Sequence, residues 1–141
     1  MGPPARDPVG LVLARSAKVV SRAFDDALVE AGGSLPTWLI LVSLQRGEHA
    51  AQRELAEAVG IEGPTLTHHL NRMEATGLVT RTRDPSNRRV HRVELTEAGR
   101  EAFRRLLTAV TAFDRRLRRG LAPDEVEGLV DLLARLRANV T

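Results

Sequence analysis

Cysteine is absent from this 141-residue chain. That excludes disulfides, thiolate metal sites, iron–sulfur clusters and thiol-based sensing of oxidants. Tyrosine is missing as well, and the aromatic residues are Phe24, Trp38, Phe103 and Phe113, too few for the base-stacking platform of single-strand binders. Lysine is nearly absent: Lys18 stands alone among 21 basic residues, and the others are arginines. No apolar run approaches the roughly 18 residues of a membrane span. The segment Met1-Gly-Pro-Pro-Ala-Arg-Asp-Pro8 has no signal-peptide core, and Arg6 breaks the pattern that would allow myristoylation of Gly2. A cytoplasmic address with no membrane partner is the expectation. The chain also lacks a Gly-x-Ser-x-Gly elbow, a phosphate loop and paired carboxylates framed by a pocket signal, so no enzyme and no cofactor are expected.

What is present is globular in composition, with 43% hydrophobic and 28% charged residues and a net charge of +3, in a length that suits one domain with helical extensions. Helical spacing of Leu13, Val20, Phe24, Ala27, Leu28 and Ala31 predicts a first helix from about Pro8 to Ala31, closed by Gly32-Gly33. A second helix opens at Ser34-Leu-Pro36 and is apolar nearly all round to Gly47, which predicts a buried position. Gln52 to Val59 reads as a short helix, Gly60 as a tight turn, and Gly63-Pro64 to Thr76 as another helix. This is helix-turn-helix spacing. The period then changes: Leu78–Arg83 and Val90–Leu95 read as strands around the turn formers Asp84-Pro-Ser-Asn87. Thr96 is placed to cap a long helix ending at Gly120, and Pro123 opens the last one. The expected fold is therefore mainly α with a small β-hairpin wing (α+β).

On a helical wheel, Leu66, Leu70 and Met73 of the 64–76 helix fall in one sector that must face the core. Pro64, His68, Asn71, Arg72 and Ala75 fall opposite, with Thr65 and Thr67 on the shoulders and Glu74 towards the core edge. Hydroxyl, amide, imidazole and guanidinium groups read base edges in a major groove, and a helix N-terminus favours nearby phosphate. An ordinary solvated face is the plainer alternative. The hairpin adds Arg81, Arg83, Arg88, Arg89 and Arg92 against the single acid Asp84. Between Arg72 and Arg92 six arginines face two acids, so the small net charge hides a local cationic excess. Arginine suits groove entry and phosphate clamping because it is planar, bidentate and weakly hydrated.

Gln52-Arg-Glu-Leu-Ala-Glu-Ala-Val-Gly-Ile61, Pro64-Thr-Leu-Thr-His-His-Leu-Asn-Arg-Met-Glu74, Gly77-Leu-Val79, Arg83-Asp-Pro-Ser-Asn-Arg-Arg89 and Leu95-Thr-Glu-Ala-Gly99 resemble the winged helix-turn-helix of the MarR family of bacterial transcriptional regulators. The resemblance extends over nearly the whole chain. It implies a homodimer with interlocked terminal helices, whose two winged lobes grip a pseudo-palindromic operator on double-stranded DNA. Such proteins typically repress, and small, often phenolic or anionic, effectors release them. On this pattern residues 1–33 are an N-terminal dimerisation helix, 34–96 the winged DNA-binding lobe and 97–141 the C-terminal dimerisation helices. Thr65, Thr67, His68 and Arg72 match the contacts of the recognition helix. Arg88 matches the wing-tip arginine that enters the minor groove, Asp84 the acid that holds it, and Arg89 a phosphate partner. The family often has arginine where His68 stands and an apolar residue where His69 stands, and aspartate where Asn87 stands. A histidine at 68 makes pH-dependent DNA affinity an expectation near the ordinary imidazole value of about 6.5. The family's ligands lodge between lobe and dimerisation helices, which makes Arg15, Phe24, Trp38 and Phe103 candidates for an effector crevice.

Dimerisation has independent support, because Val9, Leu11, Val12, Val126, Val130, Leu133, Leu136 and Val140 exceed what one small lobe can cover. The run Arg115, Arg116, Arg118 and Arg119 complements the helix dipole ahead of Gly120. Two rivals remain at this point: a metal-responsive regulator using His49, His68, His69 or His91, and a winged-helix module that binds protein. Adjacent His68 and His69 point about 100° apart and no spacing resembles a zinc site, so no metal ligand is assigned.

Overall fold

The computed structural model describes residues 2–47, 51–87, 89 and 91–141. Within them the order is α1 (Val9–Glu30), α2 (Leu35–Arg46), α3 (Gln52–Val59), α4 (Gly63–Ala75), β1 (Val79–Arg83), β2 (His91–Leu95), α5 (Glu97–Leu117) and α6 (Pro123–Val140). Several boundaries have a local cause. Ser34 caps α2 by accepting the Thr37 N–H at 3.3 Å, with Pro36 in the first turn. Gly60, at φ 69°, adopts the left-handed conformation that lets α3 turn directly into α4. Thr96 Oγ1 accepts the Gly99 N–H at 3.0 Å and donates to the Gly77 carbonyl at 2.6 Å, which ties the start of α5 to the chain entering β1. Glycine at 99 is a packing requirement, since a Cβ there would overlap the Leu78 carbonyl. This explains the glycine of the Leu95-Thr-Glu-Ala-Gly99 motif.

The two strands form an antiparallel hairpin, with Val79 opposite Leu95, Arg81 opposite Val93 and Arg83 opposite His91. A single bridge from Ala51 to Arg92 anchors the start of α3 to it. Leu28, Ile40, Leu41, Leu55, Leu66, Leu70, Met73, Val79, Val93, Ala102 and Leu106 make one core, in which α2 is central as its apolar circumference predicts.

The chain divides into two compact units, Met1–Val110 and Thr111–Thr141. This break lies inside α5, and Ala102 and Leu106 on the earlier turns of that helix are buried in the lobe core. The second unit holds the end of α5 and α6. Asp114 pairs with Arg118 at 2.9 Å and the Arg116 guanidinium lies 5.4 Å from the Phe113 ring centre, so two of the four arginines before Gly120 have local structural partners. Val126 and Leu133 are half-buried there, whereas Leu129, Val130, Leu132, Leu136 and Val140 are exposed.

Candidate nucleic-acid interface

The α4 helix meets the wheel expectation. Leu66 and Leu70 are fully buried and Met73 is 3% exposed, while Pro64, Thr65, His68, Asn71 and Arg72 are exposed. Their surroundings divide the polar residues into two sets. Pro64, Thr65, His68 and Arg72 point outward. Thr67 and Asn71 lie on a flank where neighbouring elements engage them. Thr67 Oγ1 donates to the Gly63 carbonyl at 3.0 Å and accepts the Gln52 amide N–H from α3 at 2.9 Å. Asn71 Oδ1 accepts from the Arg81 guanidinium of β1, whose same nitrogen pairs with Glu74 Oε1 at 3.0 Å.

Arg81 therefore departs from the wing set expected from the sequence. Its side chain is 18% exposed and turned onto α4. Strand parity is the cause: Arg81 shares its face with buried Val79 and sits opposite buried Val93. The hydrogen bond from Arg81 holds the Glu74 carboxyl below the usual carboxylate range. Gln52 and Glu74 are the functional-site residues that sequence reasoning missed. Parity could have found the Arg81 contact, but no local rule links Gln52 to Thr67.

Arg83 and Arg89 are exposed on the hairpin. Asp84 accepts from Ser86 Oγ at 2.6 Å and the Ser86 N–H at 2.8 Å, and Asn87 Oδ1 accepts the Arg89 N–H at 3.1 Å. These bonds fold the turn. Those from Ser86, side chain first, together with the charge of Arg92, hold the Asp84 carboxyl below its ordinary value. Asn87 needs only an acceptor for its bond, which an aspartate would also supply. Arg88, the expected wing-tip residue, lies outside the described residues, as do His49 and Val90.

His68 and His69 lie edge-on with ring centres 5.8 Å apart. Partial burial, then the charges of His68 and Arg72, lower the pKa of His69. Among the described residues no group of three or more His, Asp or Glu could hold a metal ion, and no single helix is long and apolar enough to cross a membrane.

The effector candidates separate. Trp38 and Phe103 stack with ring centres 5.7 Å apart and planes within 3°, and Phe24 borders the same core. Arg15 lies nine residues before Phe24 on one helix, hence about 180° away. It is exposed, approaches Asp7 at 3.4 Å and lines an open groove on α1 with Lys18 and Arg22. The structure does not bring it to the aromatic set.

The family profile that matches residues 34–91 is that of the MarR family. Three solved structures are similar over almost their full length. The transcriptional repressor CouR bound to a 23-mer DNA duplex is 29% identical with a TM-score of 0.84, covering 92% of each chain. CouR from Rhodococcus jostii RHA1 bound to p-coumaroyl-CoA is 30% identical with a TM-score of 0.76, again over 92% of each chain. A MarR-family transcriptional regulator from Rhodococcus sp. RHA1 is 27% identical with a TM-score of 0.79, covering 96% of each chain. With its helix-turn-helix, its arginine-bearing hairpin and 30% identity over nine-tenths of its length to a solved relative, the chain belongs to the MarR family of transcriptional regulators.

Proposed function

We propose that this protein binds a pseudo-palindromic operator as a homodimer, with α4 in the major groove and the hairpin at the minor groove of each half-site, and that a small molecule releases it. The observation that carries the reading is the outer face of α4, where Pro64, Thr65, His68 and Arg72 stand exposed over a fully buried apolar stripe, beside exposed Arg83 and Arg89. Thr65, His68 and Arg72 are the groups offered to base edges and nearby phosphates. Arg83 and Arg89 neutralise phosphates, and Arg88 enters the minor groove with Asp84 shaping the turn behind it. Two-fold symmetry sets the half-sites about one DNA turn apart.

Repression relieved by a ligand is the mode of control that fits CouR, which is seen both on DNA and with p-coumaroyl-CoA. For this chain Phe24, Trp38 and Phe103 supply the aromatic wall of an effector crevice. Arg15 faces elsewhere and belongs to a separate basic stripe on α1.

Footprinting the purified dimer on DNA upstream of its own gene tests the reading. A protected, symmetric site is expected, with affinity falling steeply as salt rises. Arg89→Ala should lower the salt slope by about two per dimer, one phosphate contact per protomer, and Arg88→Ala should weaken operator binding, both without changing helix content. Shallow salt dependence and no protected site would assign the winged lobe to protein binding instead.

A further inference from the structure

Arg81 belongs to the arginine-rich hairpin, yet its side chain is 18% exposed and turned inward. One of its terminal nitrogens bonds both Asn71 and Glu74. Those two acceptors are three residues apart and so lie on one flank of α4. The same flank carries Thr67, which Gln52 of α3 holds. A cleft lined by Gln52, Thr67, Glu74, Arg81 and His91 runs along this seam between recognition helix and wing.

We infer that Arg81 is a positioning residue for DNA recognition: it locks the hairpin onto the flank of α4 and so sets the separation between the major-groove reader and the minor-groove wing. The inference rests on the DNA-binding reading and adds a role that a count of arginines would misassign. Geometry supports it. One terminal nitrogen presents its two N–H groups to both acceptors from the fixed guanidinium plane, whereas a lysine ammonium is a freely rotating point charge on a shorter stem. Glu74 neutralises its charge, so it has little left to offer a phosphate. A small rotation of the wing would carry its tip out of register with the groove, and specific binding is sensitive to such misplacement because contacts in both grooves must form together.

The test uses the full-length dimer and a duplex selected by the parent protein from a randomised pool, with a scrambled duplex of equal length as control. Arg81→Ala should lower the selected-to-scrambled affinity ratio by about tenfold while leaving the salt slope at the parent value. Glu74→Gln removes an acid near DNA, which on charge alone would tighten binding. Here it should lower the ratio by roughly fivefold, and the double variant should be no worse than Arg81→Ala, since both act through one contact. Arg81→Lys keeps the charge and one terminal nitrogen donor and should restore part of the ratio that Arg81→Ala loses. The inference is overturned if Arg81→Ala flattens the salt slope as Arg89→Ala does, or if Glu74→Gln keeps or raises the ratio. Should Arg81→Ala lose helix content, Glu74→Gln still decides the matter, because it alters an exposed helix position. If the parent selects no sequence at all, the DNA-binding reading falls and this inference falls with it.

Discussion

The α4 helix and the α6 helix are both amphipathic, and they leave opposite surfaces uncovered. In α4 every large apolar side chain is buried, with Leu66 and Leu70 at 0% and Met73 at 3% exposure, and what remains outside is polar and cationic. In α6 no residue is buried, and Leu129, Val130, Leu132 and Leu136 stay 37–58% exposed. Val9 and Val12 at the start of α1 behave like α6, at 65% and 51%. One region has finished its hydrophobic packing within the chain and offers hydrogen-bonding groups. The other offers apolar surface that water disfavours, and large patches of that kind mark protein interfaces. The contrast supports the proposal that α4 meets DNA and that the terminal helices meet a second protomer, in a family whose members are dimeric.

Leu70→Ala strikes the finished side and carries the largest expected effect. It removes a fully buried anchor of α4 and should cost about 2–5 kcal/mol of folding stability, read as a lowered urea midpoint with slope unchanged. A loss below about 1 kcal/mol would mean that the recognition helix is not seated as described. Leu136→Asp attacks the unfinished side. Here the fold of the lobe should survive, while the dimer dissociates in sedimentation and operator affinity drops by about a hundredfold, because one lobe engages only one half-site. Dimer retention would show that the α6 stripe faces something other than a partner.

The smallest effect is a pH effect within α4. The His69 pKa is lowered by burial, then by His68 and Arg72, so the unfolded chain takes up a proton before the folded one does. Stability from this group is fully present above the ordinary imidazole value and is lost as pH falls through it towards the lowered folded value. Comparing urea midpoints between roughly pH 7.5 and 5.5 should show a decline in the parent that His69→Gln removes.

Much of this was readable before any coordinates. Gly60, Pro36, Pro64 and Thr96 punctuate the chain by backbone and capping rules that act over a few residues, and elements begin or end within one or two residues of those marks. The 100° step of the helix placed Leu66, Leu70 and Met73 inward and Pro64, His68, Asn71, Arg72 and Ala75 outward, with Thr65 and Thr67 on the shoulders, without knowledge of any neighbour. Counting charge found the arginine excess but not its uses. Arg81 went to Asn71 and Glu74, Gln52 reached Thr67 across 15 residues, and Arg15 ended opposite the aromatic set it was expected to join.

Sequence by itself determined the periodicities, the caps and the turn glycines, because these depend on rotation per residue and on hydrogen bonds between near neighbours. Tertiary structure decided which polar groups are free and which are engaged, and where in α5 the lobe core ends. Those outcomes depend on which elements meet in space, and a side chain that can donate to DNA can donate equally well to whatever acceptor the fold brings within 3 Å.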